Sequence, residues 1–566
     1  MNWLKEDNPS AHILTLGRAI SSFFESRESA DHVKTIGLLC ERLTHALENG
    51  LTHLLAHEYE DICANPLVYS AIGEPSEDLP MVCTFSGNLY FRRYYEYEQE
   101  ISDALSLRAS HPSRVCSTSD LEFFTQHIAP RLDPFQSLAV GVGMQKNLLL
   151  LTGGPGSGKT YTLAHLLACM FVQSPGISVA LTAPTGKSAH RMRQSIFEII
   201  ASSQLPEELR EKLKVCARAS TLHRLLGSVH GSVYFKHNST NPLPFDLVIV
   251  DEASMVDLPL MAKLCSALGK DTLLILVGDA DQLSPVQGGA VFNSLVRYGS
   301  PNRFSPVQKS FLSHFSKVGE FDDSNNPLHG CMVSLAHVHR RSKDSETGGI
   351  GALCDAIREG RSEDVLKIAG SSDQSVRLIE SLEDISINEI LRKGYHKLVH
   401  SETPEGAIGA LGRFRILCAH NQGRYGVDGW NERVGKLFPQ SGEYALPLII
   451  NSNDYSLGLF NGDDGVLVAN DLHYLCEDGI RQVSQARLPR HTIGYASSIH
   501  RSQGSEFDRV LIVLPPADAR LLTRELLYVA VSRAKSEVVL VGDPNSLVSA
   551  VNCPEKSRCG VINLLD

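Results

Sequence analysis

One glycine-rich run, GGPGSGKT at residues 153–160, constrains the fold of this 566-residue chain more than any other feature. The apolar run NLLLLT precedes it, and the helix-forming run YTLAHLLACMF follows it. A strand, a glycine-rich loop and a helix in this order surround phosphates with backbone N–H groups. Lys159 then supplies a cation to the β and γ phosphates, and the hydroxyl of Thr160 is available to Mg²⁺. The run therefore predicts a nucleoside triphosphate site in an α/β domain.

Two carboxylates, Asp251 and Glu252, directly follow the apolar run at residues 247–250. Carboxylates at the end of a buried strand are costly unless a cation or a proton transfer uses them. Asp251 is accordingly a candidate to hold Mg²⁺ through water, and Glu252 is a candidate to orient and deprotonate the attacking water. The alternative is a helix N-cap followed by a first-turn acid.

Gln282 lies just past another apolar run, at residues 273–277, in the sequence GDADQLSP. At the end of a strand, a neutral amide can bond the γ phosphate and report its loss to a second domain. A plain turn residue is the alternative.

Beyond residue 133, short apolar runs alternate with helix-length amphipathic segments, which is typical of βα units in parallel sheets. We predict strands at residues 148–151, 178–182, 247–250, 273–277, 414–418, 492–495, 509–513 and 537–541, enough for two sheets. The predicted domains are a mainly helical N-terminal domain at 1–125, a first α/β domain at 126–345, a second at 346–425 and 491–566, and a small β-rich insertion at 426–490. The polar stretch at 300–329 is predicted to be a loop or linker.

The excess of acidic residues is concentrated near the N-terminus. The whole chain carries 53 Lys and Arg against 64 Asp and Glu, a net charge of −11. Residues 1–125 contain 9 Lys and Arg against 19 Asp and Glu, a net charge of −10. The near-neutral remainder can still present a local basic groove to phosphates. We predict that the acidic N-terminal domain docks on a protein partner, and a solvated surface without a partner is the alternative.

Hydropathy and cysteine spacing narrow the class of protein. No apolar run approaches the roughly 18–20 residues that span a bilayer, and no cationic segment precedes an apolar one at the N-terminus. We therefore expect a cytoplasmic protein without a membrane partner. The 13 cysteines are scattered singly, which favours reduced thiols over disulfides or a metal site.

The three motifs together resemble those of superfamily 1 helicases, and further runs resemble the remaining motifs of that superfamily. In DPFQSLAV, the resemblance implies that Gln136 contacts the adenine edge. In LYVAVSRA, it implies that Arg533 is an arginine finger on the γ phosphate. The runs APTGKSA, STLHRLL and SIHRSQGSEFD resemble motifs that grip single-stranded DNA. The implied fold is a pair of RecA-like P-loop NTPase domains with parallel sheets, and ATP lies between them.

The motifs and the resemblance together assign three groups of residues. The predicted catalytic residues are Lys159, Glu252, Gln282, Arg340 and Arg533. The predicted ATP-binding residues are Gln136, Gly153, Gly154, Pro155, Gly156, Ser157, Gly158, Lys159, Thr160 and Tyr161, and Thr160 and Asp251 are the predicted Mg²⁺ ligands. The predicted contacts to single-stranded DNA are Thr185, Thr221, His223, His500 and Ser502. Arg340 is the choice for a second finger in the run VHRR at 338–341, where the usual flanking aromatics are absent, and Arg341 is the alternative.

Within superfamily 1, the runs TLHRLLG, GRFRILCAHNQGRYGVDGWNE and LGLFNGDDG are similar to those of the RecD family, the alpha subunits of exodeoxyribonuclease V (RecBCD). The resemblance implies a bacterial motor that moves 5′ to 3′ on single-stranded DNA at DNA ends, in recombinational repair. It also implies a heterotrimer with a RecB-like helicase–nuclease and a RecC-like scaffold. The alternatives are a standalone superfamily 1 helicase and an ATPase switch or structural subunit without processive unwinding. No nuclease constellation is found, and no cutting of DNA is predicted for the chain alone.

Overall fold

The computed structural model describes residues 30–63, 72–216, 219–229, 232–285, 288–335, 348–371, 375–438, 445–452, 454, 456–476, 479–519 and 521–565. Two parallel sheets, one antiparallel sheet and two smaller sheets are formed within these ranges. Among the helices described, none combines the length and the apolar character that crossing a membrane requires.

The described part of the N-terminal segment packs on the first parallel sheet and shares its main hydrophobic core. It contains the helices Ala30–Glu48, Glu60–Cys63 and Arg92–Ala109 and a small sheet of β1 (Ile72–Gly73), β2 (Met81–Cys83) and β3 (Leu89–Phe91). Leu43 and Ile101 share one hydrophobic core with Leu258 of the first α/β domain. Arg108 is buried there, and its guanidinium donates to the carbonyl oxygen of Gly269 (2.7 Å). The segment is therefore part of the wall of the first α/β domain.

The first parallel sheet carries the P-loop, the glycine-rich run at residues 153–160, at the carboxyl end of one of its strands. The chain forms β4 (Leu148–Thr152), β5 (Val179–Ala183), β6 (Ala219–Thr221), β7 (Leu247–Val250), β8 (Leu273–Gly278), the short pair β9 (Arg303–Phe304) and β10 (Glu320–Phe321), and β11 (Met332–Ser334). Six of the strands described are parallel, in the order β11-β4-β8-β7-β5-β6. β4, β7 and β8 are buried along their whole length, which is typical of parallel sheets with helices on both faces.

Alternate residues of β4 face two different cores, because successive side chains of a strand point to opposite sides. Leu148 and Leu150 face the N-terminal segment, and Leu149 and Leu151 face the helix that follows the P-loop. The helices of this domain are Thr118–Phe123, Pro134–Gln145, Lys159–Gln173, Gly186–Ser202, Glu207–Cys216, Leu222–Leu226, Leu258–Ala267, Val291–Tyr298 and Pro306–Leu312.

The stretch at 300–329, predicted to be a loop or linker, is a packed part of the first domain. It contains β9, β10 and the helix Pro306–Leu312. Phe304 and Leu312 are fully buried, and the ring of Phe315 lies where a Cβ on Gly141 would stand. The prediction was based on the polar composition of the stretch. It was wrong because apolar residues of the stretch, such as Phe304 and Leu312, are buried in the core.

The second parallel sheet and the insertion follow. The strands are β12 (Val376–Ile379), β13 (Phe414–Cys418), β14 (Leu446–Ile450), β15 (Asp464–Val468), β16 (Asp471–Cys476), β17 (Gly479–Ser484), β18 (His491–Ile493), β19 (Ala496–Ser498), β20 (Phe507–Val513) and β21 (Ala534–Val541). The helices are Gly348–Arg358, Ser362–Ala369, Ser386–Val399, Pro404–Leu411, Val427–Leu437, Arg524–Ser532, Pro544–Asn552 and Val561–Leu565. The described parallel order is β12-β21-β20-β13-β19. The predicted α/β class with two RecA-like sheets is confirmed.

The β-rich insertion differs from its predicted bounds of 426–490. Its antiparallel order is β17-β16-β15-β14-β18, so the insertion extends to Ile493. The helix Val427–Leu437 lies outside it, because Trp430 and Val434 pack on the second parallel sheet beside Phe414. Of the predicted parallel strand at 492–495, residues 492 and 493 belong to β18 of the insertion, and residues 494 and 495 connect β18 to β19. One apolar run cannot reveal that two strands of different sheets meet end to end.

Candidate ATP site and strand groove

The P-loop connects the end of β4 to a helix that begins at Lys159. Gly156 (φ 77°) and Gly158 (φ 87°) have left-handed backbone conformations, which side chains disfavour. A Cβ on Gly153 would lie 2.6 Å from the hydroxyl oxygen of Ser157. The Lys159 ammonium donates to the carbonyl oxygen of Gly153 (2.5 Å). The loop thus places a cation beside the positive end of a helix, where phosphates bind.

The two carboxylates at the end of β7 line the same cavity as Lys159. Glu252 has a φ of 51°, which is rare for a residue with a side chain and is typical of functional sites. Its side chain does not cap the short helix Ala253–Met255, so the N-cap alternative does not apply. Asp251 accepts the N–H of Glu252 (2.9 Å), and burial, followed by the charge of Glu252, raises the pKa of Asp251.

A cavity of about 380 Å³ lies between the two parallel sheets. The first domain contributes Lys159, Asp251, Glu252 and Gln282, and the second contributes Arg533. Gln282 is 3% exposed, and its amide oxygen has no hydrogen-bond partner among the described residues. Arg533 is also 3% exposed and, within the described ranges, donates to main-chain carbonyls and a serine hydroxyl. A cation from one domain therefore faces the acidic and glycine-rich groups of the other.

These residues fit a nucleoside triphosphate with its magnesium ion. Among the described residues, the buried oxygens of Gln282 and Ser157 lack partners within the protein, a costly state that ligand or water groups relieve. Thr160 and Asp251 both line the cavity. Mg²⁺ prefers such hydroxyl and carboxylate oxygens, together with phosphate oxygens and water.

Gln136 and Tyr161, both predicted to contact the nucleotide, lie in different places relative to the cavity. Gln136 is 2% exposed and lies behind the P-loop, where its amide nitrogen donates to the carbonyl oxygen of Ser157 (3.3 Å). Its amide oxygen accepts the N–H of Asp133, which closes the N-terminal cap of the helix Pro134–Gln145. Gln136 thus supports the P-loop, and in this structure its amide is not available to an adenine edge. Tyr161 lines the cavity, as predicted. Arg340 and Arg341 lie outside the described residues.

A second cavity of about 560 Å³, here called the strand groove, is enclosed by the first domain, the second domain and the insertion. Lys187 and Arg415 both bind Asp464, at 2.5 and 3.1 Å. Burial opposes ionisation of Asp464, but the charges of Arg415 and Lys187 outweigh it and lower the pKa to about 2. The guanidinium of Arg224 lies 4.6 Å from the ring centre of Phe460. The groove thus combines cations with an aromatic ring, the kinds of group that bind single-stranded nucleic acid.

Part of each parallel sheet lies in a segment that matches a family of known proteins. The family model described as an AAA domain matches residues 136–288, and the model described as a UvrD-like helicase C-terminal domain matches residues 494–541. The RecBCD enzyme subunit RecD of Mycolicibacterium smegmatis is 34% identical over 517 residues, which cover 87% of this chain and 83% of that protein. The chain belongs to the RecD family. It is an ATP-hydrolysing DNA helicase of superfamily 1.

Two other similarities are more distant. The ATP-dependent RecD2 DNA helicase of Deinococcus radiodurans is 28% identical over 413 residues, which cover 70% of this chain and 47% of that protein. A solved structure of two coordinating Pif1 helicases at forked DNA matches with a TM-score of 0.37 and 18% identity, over 75% of this chain and 92% of that chain. Membership of the RecD family rests on the RecD subunit alone.

The predicted strand contacts of the first domain of this RecD-family protein lie at helix N-termini. Thr185 caps the helix Gly186–Ser202, and Thr221 caps the helix Leu222–Leu226. Of the two, Thr221 lines the strand groove. His223 is exposed, with its ring centre 5.7 Å from that of Phe235.

The two predicted strand contacts of the second domain are less accessible. Ser502 is 2% exposed, and its hydroxyl donates to the carbonyl oxygen of Ile499 (2.7 Å). Both the side chain and its proton are engaged inside the protein, and the contact between Ser502 and DNA stays a prediction. His500 is half-buried, and burial lowers the pKa of its imidazole, so it is neutral at pH 7.

Arg191 is a residue of the ATP cleft that the motifs did not single out. Its guanidinium donates to the carbonyl oxygen of Gly504 (2.8 Å) and pairs with Glu506 (2.8 Å), so it joins the first domain to the second across the cavity. A sequence signal exists, because Arg191 stands four residues after Lys187 and shares its helix face. Tyr528 makes another bond between the domains, from its hydroxyl to the carboxylate of Asp279 (3.1 Å).

Proposed function

We propose that this chain is the RecD-like motor subunit of a bacterial RecBCD-type helicase–nuclease. It moves 5′ to 3′ on single-stranded DNA at double-strand ends, and works in the cytoplasm with a RecB-like helicase–nuclease and a RecC-like scaffold. The observation that carries the proposal is the cavity where Lys159, Glu252 and Gln282 meet Arg533 of the other domain. The 34% identity to a subunit named for the RecBCD enzyme supports the assembly.

ATP hydrolysis uses groups from both sheets. Lys159 and the N–H groups of the P-loop hold the phosphates, and Glu252 accepts a proton from the attacking water. Arg533 stabilises the charge that develops on the phosphoryl group. Thr160 and Asp251 would hold a magnesium ion, which would supply neutralising charge to the phosphate oxygens. Loss of the γ phosphate removes the group that Arg533 and Gln282 share, and the two domains then separate.

Domain movement acts on DNA in the strand groove. Lys187 and Arg224 belong to the first domain, and Arg415 belongs to the second, so a strand in this groove contacts both moving bodies. Contacts to phosphate carry no sequence information, which suits a motor that must pass every sequence. Repeated closure and opening then shifts the strand relative to one domain at a time.

The test is ATP hydrolysis by the wild type, Lys159→Gln and the surface control Lys212→Gln, with and without single-stranded DNA. We expect DNA to stimulate the wild type and Lys212→Gln many-fold, and Lys159→Gln to be slower by roughly 100-fold or more. Duplexes with a 5′ or a 3′ tail then report polarity. A folded wild type that hydrolyses ATP slowly and ignores DNA would instead indicate a switch or a structural subunit.

The partner requires a separate test. Deleting the N-terminal segment would expose the core that it shares with Leu258, so surface substitutions are needed. Glu41→Lys with Glu48→Lys reverses two exposed acids of the helix Ala30–Glu48. We expect loss of co-purification with the RecB-like and RecC-like proteins, while DNA-stimulated ATP hydrolysis persists. Full co-purification of this variant would place the docking surface elsewhere, and unwinding without any partner would favour the standalone alternative.

A further inference from the structure

The C-terminal tail crosses from the second domain to the first. Leu547 and Val551 of the helix Pro544–Asn552 pack in the core of the second sheet. Val561 and Leu565 of the last helix pack in the core that the N-terminal segment shares with the first sheet. Residues 553–560, here called the strap, join these two helices. The strap is therefore a covalent connection between the two bodies that close on ATP.

The far end of the strap is firmly held by the N-terminal segment. Arg558 pairs with Glu58 (2.7 Å), and its carbonyl oxygen accepts the N–H of Thr52 (2.9 Å). The N–H of Gly560 donates to the buried carboxylate of Glu98 (2.7 Å). Because this end is fixed to the first domain, movement of the second domain must act on the middle of the strap.

Glu555, in the middle of the strap, is bonded to elements of both domains that form the ATP site. Its carboxylate accepts the N–H of Ser284 (3.0 Å), two residues after Gln282 in the loop that follows β8. Its own N–H donates to the carboxylate of Glu525 (2.7 Å), in the first turn of the helix Arg524–Ser532. That helix ends at Arg533. The loop of Gln282 and the helix of Arg533 are thus linked through Glu555.

The surroundings of Glu555 make this link strong. A cavity of about 240 Å³ is lined by the cations Arg297, Arg358 and Arg524 and the acids Asp281, Glu525 and Glu555. Glu525 is buried, so the bond that it accepts from the N–H of Glu555 is sheltered from bulk solvent, and burial raises the pKa of Glu555. The bond between Tyr528 and Asp279 holds the same loop and helix from a second point.

We propose that Glu555 is a positioning residue of the motor, which keeps the loop of Gln282 in register with the helix of Arg533. When loss of the γ phosphate lets the two domains separate, the helix of Arg533 pulls on Glu555, and the strap passes this movement to the loop of Gln282 and to the N-terminal segment. The proposal rests on the motor function proposed above. It gives the C-terminal tail a role in coupling ATP hydrolysis to movement on DNA.

Three variants test the coupling: Glu555→Ala, Glu555→Gln and the control Lys556→Ala, an exposed neighbour in the same strap. We expect Glu555→Ala to lower the DNA-stimulated kcat by roughly 10-fold and to leave KM for ATP within about twofold, because it disturbs the loop and spares the P-loop. Base pairs unwound per ATP also fall. Glu555→Gln recovers most of kcat, because an amide oxygen still accepts the N–H of Ser284. Lys556→Ala behaves as the wild type.

Hydrogen exchange gives a readout that does not depend on ATP turnover. In Glu555→Ala, the amide of Ser284 should exchange at least roughly 10-fold faster than in the wild type, whereas Lys556→Ala should leave it unchanged. A wild type without DNA-stimulated ATP hydrolysis would refute the motor, and the exchange result would still test the link. Unchanged exchange in Glu555→Ala, or equal effects in Lys556→Ala, would overturn the role of Glu555.

Discussion

Replacing Asp464 with asparagine is expected to weaken the fold and to tighten the binding of single-stranded DNA. Asp464 is the only acid described in contact with both Lys187 and Arg415, and its carboxylate is 17% exposed. Arg415 is 3% exposed and also donates to the carbonyl oxygen of Gly494, so it stays in place when its partner changes. Lys187 is 30% exposed, and the substitution frees it for phosphate.

The size of the stability effect follows from the pKa of Asp464. Lowering the pKa from the ordinary 3.8 to about 2 corresponds to about 2 kcal/mol of stabilisation at neutral pH. Because the folded-state pKa is depressed, this stabilisation is complete above about pH 4 and is lost as pH falls through about 2. The difference between wild type and Asp464→Asn should therefore be constant from about pH 5 to 8. For a domain of this size we expect a fall in Tm of about 4–8 °C.

Thermal unfolding and salt-dependent DNA binding check both effects. Glu432→Gln, which breaks the exposed pair with Lys436, is the control and should change Tm by no more than about 2 °C. One additional phosphate contact should make the slope of log K against log salt steeper by about 0.7 for Asp464→Asn. If Asp464→Asn has the Tm and the salt slope of the wild type, Asp464 neither stabilises the strand groove nor keeps Lys187 from binding phosphate.

Three further outcomes follow from the site. Glu252→Gln should lower kcat for ATP hydrolysis by roughly 100-fold or more and preserve ATP binding, as measured with a fluorescent nucleotide, because only the proton acceptor is lost. Arg533→Lys should reduce kcat by roughly 100-fold in single-turnover assays, since an ammonium cannot reproduce the guanidinium fork, and normal turnover would remove Arg533 from the reaction. Arg224→Ala should make the salt slope of strand binding shallower by about 0.7, and an unchanged slope would place the strand elsewhere.

The part of the ATP site that the first domain supplies was predictable because its charged and polar residues follow apolar runs. Lys159, Asp251 and Gln282 follow β4, β7 and β8, which are buried along their whole length. Parallel strands bring their carboxyl ends to one edge of a sheet, so residues 123 positions apart meet there. Arg533 could be assigned to the ATP site only through the resemblance. The strand pattern of each sheet does not show how the two sheets are arranged relative to each other.

The prediction of a loop or linker at 300–329 was wrong because composition does not report what a polar segment packs against. The contacts predicted for Ser502 and Gln136 stay predictions, although the structure shows other bonds for both side chains. Ser502 belongs to a strand-gripping motif, yet a single bond to Ile499 turns its hydroxyl inward. Gln136 has the residue type that binds a base edge, yet its amide is used by the cap of its own helix and by Ser157. Short polar side chains readily form hydrogen bonds to nearby backbone groups. A sequence motif does not show whether such a side chain bonds the backbone or a ligand.

The acidic excess of residues 1–125 also has a structural consequence. These residues supply one wall of the first sheet's core, and Glu58 and Glu98 hold the strap. Some of these acidic side chains are thus bonded within the protein, whereas Glu41 and Glu48 are exposed on the helix Ala30–Glu48. A partner bound to that helix would rest on the same N-terminal segment that anchors the strap through Thr52, Glu58 and Glu98. Because the strap reaches Ser284 through Glu555, partner binding and ATP hydrolysis would share one mechanical connection.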